Sequence, residues 1–198
     1  MTLLLIFAKP PVSTGPPLNP QCDPRADIMS KPTERGISLP SSSSDIAEIH
    51  TPPPGPFVHS ITVGWGDCDP AQIAYTASVL GWGLKALEAW CDICLGVNWF
   101  ELNLNHGIGT PFVAMNYEFT SPITPRAVLE CTVFVRKIGR SSLHHIVEGR
   151  QKDRLCFTGT MTSVFVAAAR LKPIEIPPNM RQSIELYAAG QGRALEDE

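Results

Sequence analysis

Two periods of hydrophobic spacing organise the chain. Residues 57–65 (FVHSITVGW) alternate apolar and polar side chains, the two-residue period of a half-buried strand. From about residue 75 to residue 95 the period lengthens. Leu80, Leu84, Leu87, Cys91 and Cys94 fall at i, i+4, i+7, i+11 and i+14, which is one stripe of a helix. Val79, Trp82, Ala86 and Trp90 widen that stripe and leave Lys85, Glu88 and Asp92 as a narrow polar face, so the helix is expected to be wrapped by other structure. Gly81 and Gly83 each cost about 1 kcal/mol of helix propensity relative to alanine. Close approach to a neighbouring backbone is the expected return. After a loop containing Asn103, Asn105, His106 and Gly107, strand alternation resumes in 111–120, 127–137, 143–148 and 155–166, with turn-forming stretches at 139–141 and 149–154. Long strands with short connections predict an antiparallel meander. The whole reads as an α+β fold in which a curved antiparallel sheet of about five strands surrounds one long helix. Pro173, Pro177 and Pro178 end the sheet, and 179–189 is predicted to form a short terminal helix.

Composition changes sharply at residue 57. Twelve of the 19 prolines precede it, together with SSSS and PPGP runs, whereas only Phe7 of the 15 aromatic residues does. A segment so poor in aromatics cannot bury enough apolar surface to offset the entropy of ordering. Residues 1–56 are therefore read as a disordered Pro/Ser-rich extension and 57–198 as the folded domain with a short helical tail. The net charge of -3 offers no basic field to a nucleic-acid backbone, and no apolar run nears the roughly 20 residues that span a bilayer. Neither a nucleic-acid nor a membrane partner is expected. The apolar run 3–8 is shorter than the roughly 7–15 residues of a secretory signal core and meets Lys9 and Pro10 directly. An upstream start that appends unrelated residues explains this segment equally well, and a cytoplasmic protein is expected. Cys91 and Cys94 form a single CxxC with no second pair and no histidine at zinc spacing, so they and Cys22, Cys68, Cys131 and Cys156 read as free thiols of a reducing compartment.

The chemistry concentrates where the first strand gives way to the helix, in WGDCDPAQIAY, residues 65–75. An aspartate before a helix ordinarily caps it or makes a turn, and Asp67 is read that way. The electropositive end of a helix also keeps a nearby carboxylate ionised. Unpaired N–H groups at about Tyr75 to Ala77 can in turn polarise a carbonyl oxygen. For Asp69 the turn role and a catalytic role both stand on the residues alone. His144 and His145, adjacent on a strand, must point to opposite faces and so cannot pair on a metal.

The same segment resembles the signature of the 4-hydroxybenzoyl-CoA thioesterase family of hotdog-fold enzymes, whose pattern is close to GDCDPAGIVYYPNY. Gly66, Asp67, Cys68, Asp69, Pro70, Ala71, Ile73 and Tyr75 match it, and GIGTPFVAMNYEFTSPI (107–123) is similar to the family's second strand. The resemblance covers about residues 57–178. It implies a hotdog fold and hydrolysis of an acyl-CoA or acyl-carrier-protein thioester to free acid and thiol. Carried over residue by residue, Asp69 is the nucleophile or general base, and the backbones of Tyr75, Thr76 and Gly109 polarise the carbonyl. By position alone, Trp65, Tyr75, Trp82 and Phe112 are candidates for an apolar acyl pocket, with core packing as the other reading, and Ser78 is a candidate to hydrogen-bond the substrate. Arg136, Lys137 and Arg140 are those for the CoA phosphates, which guanidinium groups grip by forked hydrogen bonds. The resemblance implies no metal and no cofactor other than the CoA of the substrate. It implies a homodimer or a dimer of dimers, since an exposed second-strand edge and an incomplete site both call for a second copy. Two departures stand out: Gln72 replaces a glycine, and Tyr75-Thr76-Ala77-Ser78 lacks the family's proline and asparagine, with Ser78 at the asparagine position. They keep open a second reading, a non-catalytic acyl-CoA-binding or interaction module. Glu88 and Glu118 are outside candidates, and a hotdog dehydratase would need a histidine at this loop.

Overall fold

The computed structural model describes residues 49–196, all within one compact unit spanning residues 40–198. The extension expected over 1–56 therefore lies outside the described residues up to residue 48. The helix expected from the 3.6-residue spacing is α1, Thr76–Leu95. The buried face is Val79, Trp82, Ala86, Leu87, Trp90 and Cys94, so it is rotated from the expected stripe: Leu84 and Cys91 are half-buried, Leu80 is exposed, and Lys85 and Asp92 face outward. Gly96, at φ 69, ends it in the left-handed conformation that glycine tolerates without a Cβ penalty.

The sheet that receives this stripe has five antiparallel strands in the order β1 (Phe57–Ile61), β4 (Leu129–Ile138), β5 (Ser142–Gln151), β6 (Arg154–Val164) and β3 (Phe112–Phe119). Every second residue of the central strands points at the helix. Leu129, Cys131, Val133 and Val135 on β4, Val147 on β5, and Phe157 and Met161 on β6 are all nearly inaccessible. This is the α+β arrangement of one long helix in a curved sheet that the pattern predicts. It is not a simple meander, however. Only β4, β5 and β6 follow one another; β3 crosses to the far edge and pairs with β6, from Phe112↔Ser163 to Phe119↔Phe157. The crossing, residues 120–128, carries the chain over to β4 beside β1, which brings the two edges of the sheet around the helix. The helix is less fully wrapped than its composition suggests, for Leu80 and Ile93 remain exposed.

Three local features depart from the sequence reading. The first strand stops at Ile61, and a 3-10 turn occupies Trp65–Asp67 because the Asp67 carboxylate accepts the Gly64 amide at 2.9 Å. The expected loop begins later than predicted, because Asn103 belongs to a short helix, α2 (Trp99–Leu104), whose N-cap Asn98 side chain accepts the Glu101 amide at 2.9 Å. An Asn followed three residues later by Glu is a helix-start signal, so α2 was legible. The glycine pair divides: a Cβ on Gly83 would strike the Tyr117 hydroxyl and lie 2.9 Å from the Met161 methyl, whereas a Cβ on Gly81 would meet nothing within 4 Å. Close approach accounts for Gly83 alone, and it is to side chains of β3 and β6 rather than to the backbone that was expected.

The terminal helix α3 (Pro178–Gly190) begins with Pro178, whose missing N–H is no loss at a helix start. It is built into the sheet. The Tyr187 hydroxyl donates to the Val133 carbonyl at 2.5 Å and accepts the Phe57 amide at 2.9 Å, tying β4 to β1. Beyond the end of β1, the buried Gln191 side chain takes the place of a strand, bonding both the amide (2.7 Å) and the carbonyl (2.8 Å) of Val135. Residues 49–56, assigned to the extension by composition, include His50, which donates its amide to the Ser183 hydroxyl and sets its ring against the Ile93 carbonyl. A second small sheet joins β2 (Ile108–Gly109), β7 (Val166–Ala167) and β8 (Lys172–Pro173). Among the described residues no helix is long and apolar enough to cross a membrane.

Two predictions follow from this packing. Gly83→Ala should destabilise the domain by about 1–3 kcal/mol through overpacking, whereas Gly81→Ala should gain up to about 1 kcal/mol of helix propensity, both read from urea unfolding. The second concerns His145, which is buried edge-on against Trp90 at 4.8 Å between ring centroids; burial pushes its pKa down from 6.5 to about 3. Between those values the unfolded chain binds a proton here and the folded chain does not. Stability should therefore fall as pH drops through that window, by up to about 1.4 kcal/mol per unit from this group. In His145→Gln, the same urea titrations should show a flatter dependence on pH.

Candidate active site

Residues 67–75 form a miniature hairpin in front of α1. The Tyr75 amide donates to the Asp67 carbonyl at 2.8 Å, the Asp69 amide to the Ile73 carbonyl at 2.9 Å, and Cys68 faces Ala74 as an antiparallel bridge. At the tip the Gln72 amide donates to the Asp69 carbonyl at 2.9 Å, with Pro70 at the corner that favours its fixed φ. Gln72 itself has φ 63. A tight turn followed by one left-handed residue is a standard hairpin closure, and glycine is the residue that enters it without strain. The family glycine at this position thus answers a backbone requirement, which Gln72 meets at some cost.

The Asp69 carboxylate serves the turn with one oxygen: Oδ1 accepts the Ala71 amide at 2.8 Å. Its other oxygen has no partner among the described residues, so the turn role leaves half of the carboxylate free. Asp69 is half-buried. Asp67 takes the turn role of the two expected for it: its carboxylate accepts the Gly64 amide and closes the 3-10 turn, and it does not cap α1.

The helix that follows is open at its start. Tyr75 occupies the N-cap without a side-chain hydrogen bond, and no acidic residue lies in the first turn. The Ser78 amide turns back to the Tyr75 carbonyl at 2.9 Å. Thr76 and Ala77 thus present their N–H groups at the positive end of the helix dipole, whereas the Tyr75 amide, expected among them, is taken up by the Asp67 carbonyl in the hairpin. Beside this end is a cleft of about 440 Å³, walled by Ile73, Ala74, Thr76 and Val79 on one side and by residues 119–123 on the other. The hairpin is fastened to that far wall by the Ala74 amide, which donates to the Ile123 carbonyl at 2.8 Å. Thr76 borders the cleft; Asp69 sits in the adjoining turn and does not line it.

The remaining candidates scatter. Trp65 and Tyr75 flank the hairpin with exposed rings, and Ser78 is half-buried in the first turn of α1. Trp82, proposed for the substrate pocket, is 5% exposed in the core because it lies on the same inward stripe as Val79 and Ala86. Phe112 packs edge-on against Trp99 and borders a separate cavity of only about 20 Å³, which His145 and Ser163 also line. Gly109 is paired with Val166 in the small sheet. Within one chain these side chains do not converge on a single pocket.

Of the three basic residues, Arg136 pairs with Glu196 at 2.6 Å and Arg140 with Glu175 at 3.2 Å. Arg136 also borders a shallow groove of about 140 Å³ on the outer face of the sheet, with Asn116, His144 and Thr160. His144 is held below its ordinary pKa by partial burial first and by Lys137 and Arg136 next. As expected, His144 and His145 occupy opposite faces, with His144 bonded to the Thr162 hydroxyl at 3.0 Å. The described cysteines are free thiols; burial pushes Cys94 and Cys131 up to about 12, which makes them unreactive. Gln151, whose amide grips the loop behind the 119–123 wall, carries no sequence signal, because it belongs to no motif and stands in a stretch that reads as a turn.

The pattern of the thioesterase-like superfamily matches residues 63–184. Among solved structures, a protein of the thioesterase superfamily from Jannaschia sp. is 39% identical, with a TM-score of 0.64 over 69% of this chain and 95% of that one. A 1,4-dihydroxy-2-naphthoyl-CoA thioesterase from Synechocystis is 18% identical (TM-score 0.60, 66% of this chain and 96% of that one). A hypothetical protein from Staphylococcus aureus in complex with CoA is 15% identical (TM-score 0.66, 73% of this chain and 91% of that one). The last two likenesses are of fold alone. No curated protein matches the chain.

The hairpin geometry yields a stability prediction. Gln72→Gly should relieve the left-handed strain and stabilise the domain by about 0.5–1 kcal/mol after the entropy that glycine adds to the unfolded chain. An unchanged or lower urea midpoint would contradict the strain.

Proposed function

The chain belongs to the thioesterase-like superfamily, and from that premise we propose that it hydrolyses an acyl-CoA, or an acyl group on a carrier protein, to the free acid and the thiol. The observation that carries this reading is the juxtaposition of an uncapped helix N-terminus, a cleft of about 440 Å³ at that terminus, and a carboxylate with one free oxygen in the turn just before it. The thioester carbonyl oxygen points to the amides of Thr76 and Ala77, where negative charge developing on it is stabilised. Asp69 then either adds to the carbonyl carbon or removes a proton from the water that adds. Collapse of the tetrahedral species breaks the carbon–sulfur bond and expels the thiolate. By the first route the acyl-aspartyl anhydride is hydrolysed in a second step; by the second the acid forms directly.

The site is completed by a second copy. Among the described residues the edge strand β3 has no neighbour on its outer side, and it exposes Val113, Met115 and Phe119, an apolar row that a free monomer would leave in water. Pairing two copies along it covers that row and lets Gly109 and Phe112 of one subunit serve the cleft of the other. Arg136, Lys137 and Arg140 receive the phosphates of CoA, displacing Glu196 and Glu175 from exposed ion pairs that cost little to break. The CoA bound by the Staphylococcus aureus relative supports that ligand class.

Asp69→Asn keeps the oxygen that accepts the Ala71 amide and removes the charge. On a panel of acyl-CoA thioesters followed by thiol release, it should lower kcat by about 100-fold or more with little change in melting temperature. Undiminished turnover in Asp69→Asn would remove Asp69 from the mechanism, and binding of CoA thioesters without hydrolysis by the wild type would establish the non-catalytic module instead.

A further inference from the structure

Gln151 closes β5 with its side chain 4% exposed, and its amide is given over entirely to one loop. Oε1 accepts the Thr124 amide at 3.0 Å, and Nε2 donates to the carbonyls of Thr124 and Ala127, each at 2.7 Å. Ile123, next to this clamp, accepts the Ala74 amide through its carbonyl at 2.8 Å. Ala74 stands opposite Cys68 in the hairpin that carries Asp69, two residues before α1 begins. One chain of bonds therefore runs from a buried glutamine, through the wall of the cleft, to the base of the Asp69 turn.

We propose that Gln151 is a positioning residue of the thioester site: through Thr124 and Ile123 it sets where the Asp69 turn stands against the N-terminus of α1. The proposal rests on the hydrolase reading for its effect on activity, though not for its effect on the hairpin. The loop 120–128 belongs to no strand or helix, so its place depends on individual bonds. Its earlier part is held by β6, where Cys156 accepts the Thr120 and Ser121 amides and the exposed Arg154 reaches the Pro122 carbonyl at 3.0 Å. From Thr124 to Ala127 the buried clamp is Gln151. A buried amide with three bonds at these lengths has no water to exchange with, so the loop has one geometry while it lasts. Misplacement of a reacting group by about 1 Å is enough to cost a large part of a rate.

The test compares Gln151→Met with Gln191→Met. Gln191 is the other buried glutamine clamp, but it holds the Val135 backbone and no part of the cleft. Both variants lose a buried amide and should lose similar thermal stability; assays run well below both melting temperatures. Gln151→Met should lower kcat roughly tenfold or more with less change in KM, while Gln191→Met stays within about twofold of wild type. Hydrogen exchange at the Ala74 amide should quicken roughly tenfold in Gln151→Met only, with the central amides of α1 unchanged. Equal losses of activity in the two variants, or an Ala74 amide indifferent to Gln151, would overturn the proposal. If the wild type cleaves no thioester, the hydrolase reading fails and the exchange arm alone decides whether Gln151 positions the hairpin. Should Gln151→Met not fold, Gln151→Glu, which retains the acceptor for the Thr124 amide, takes its place under the same measurements.

Discussion

The structure depends first on a single helix lying against one face of a curved sheet. Trp82, Leu87 and Trp90 of α1 meet Val133, Val147 and Phe157 of the sheet, and each large side chain so buried contributes about 1.5–3 kcal/mol against exposure. That burial fixes the direction of the helix, and with it the direction of its dipole. The positive end therefore emerges where the 67–75 hairpin ends. Close contact at Gly83, under the Tyr117 hydroxyl, allows the helix to lie nearer to β3 and β6 than any side chain would permit. The chemistry at the N-terminus is a consequence of packing at the middle of the helix.

The hairpin before the helix shows how one residue can satisfy two demands. Asp69 completes a turn with one oxygen and leaves the other free, so structural and chemical roles divide between the atoms of a single carboxylate. Aspartate is suited to both because its short side chain reaches its own backbone two residues on while still carrying charge. Gln72 shows the reverse economy, a side chain where glycine would sit more easily. The fold absorbs the strain because the hairpin is secured on both sides, by the Asp67–Tyr75 bond and by the Ala74–Ile123 bond.

The sheet manages its two edges differently. On the β1 side, α3 and the residues after it finish the ladder with side chains: Tyr187 bridges β1 and β4, and Gln191 stands in for a missing strand at Val135. On the β3 side none of the described residues pairs with the backbone edge or covers the apolar row of Val113, Met115 and Phe119. An edge so capped on one side and so open on the other fits a molecule that adds a neighbour in one direction only.

Periodicity alone was enough to place α1 and the four long strands, because both the 3.6-residue stripe and the two-residue alternation are local consequences of having one face buried. The Asp-Pro turn was legible for a similar reason, since Asp67, Asp69 and Pro70 act on backbone groups within a few residues. Even α2 had its signal in Asn98 and Glu101. What the sequence could not determine is whatever depends on residues distant along the chain meeting in space. Nothing local tells that β3 pairs with β6 rather than β4, or that Arg136 meets Glu196. Nor does any pattern mark Gln151, for a buried amide is distinguished only by the carbonyls that surround it once the fold has closed.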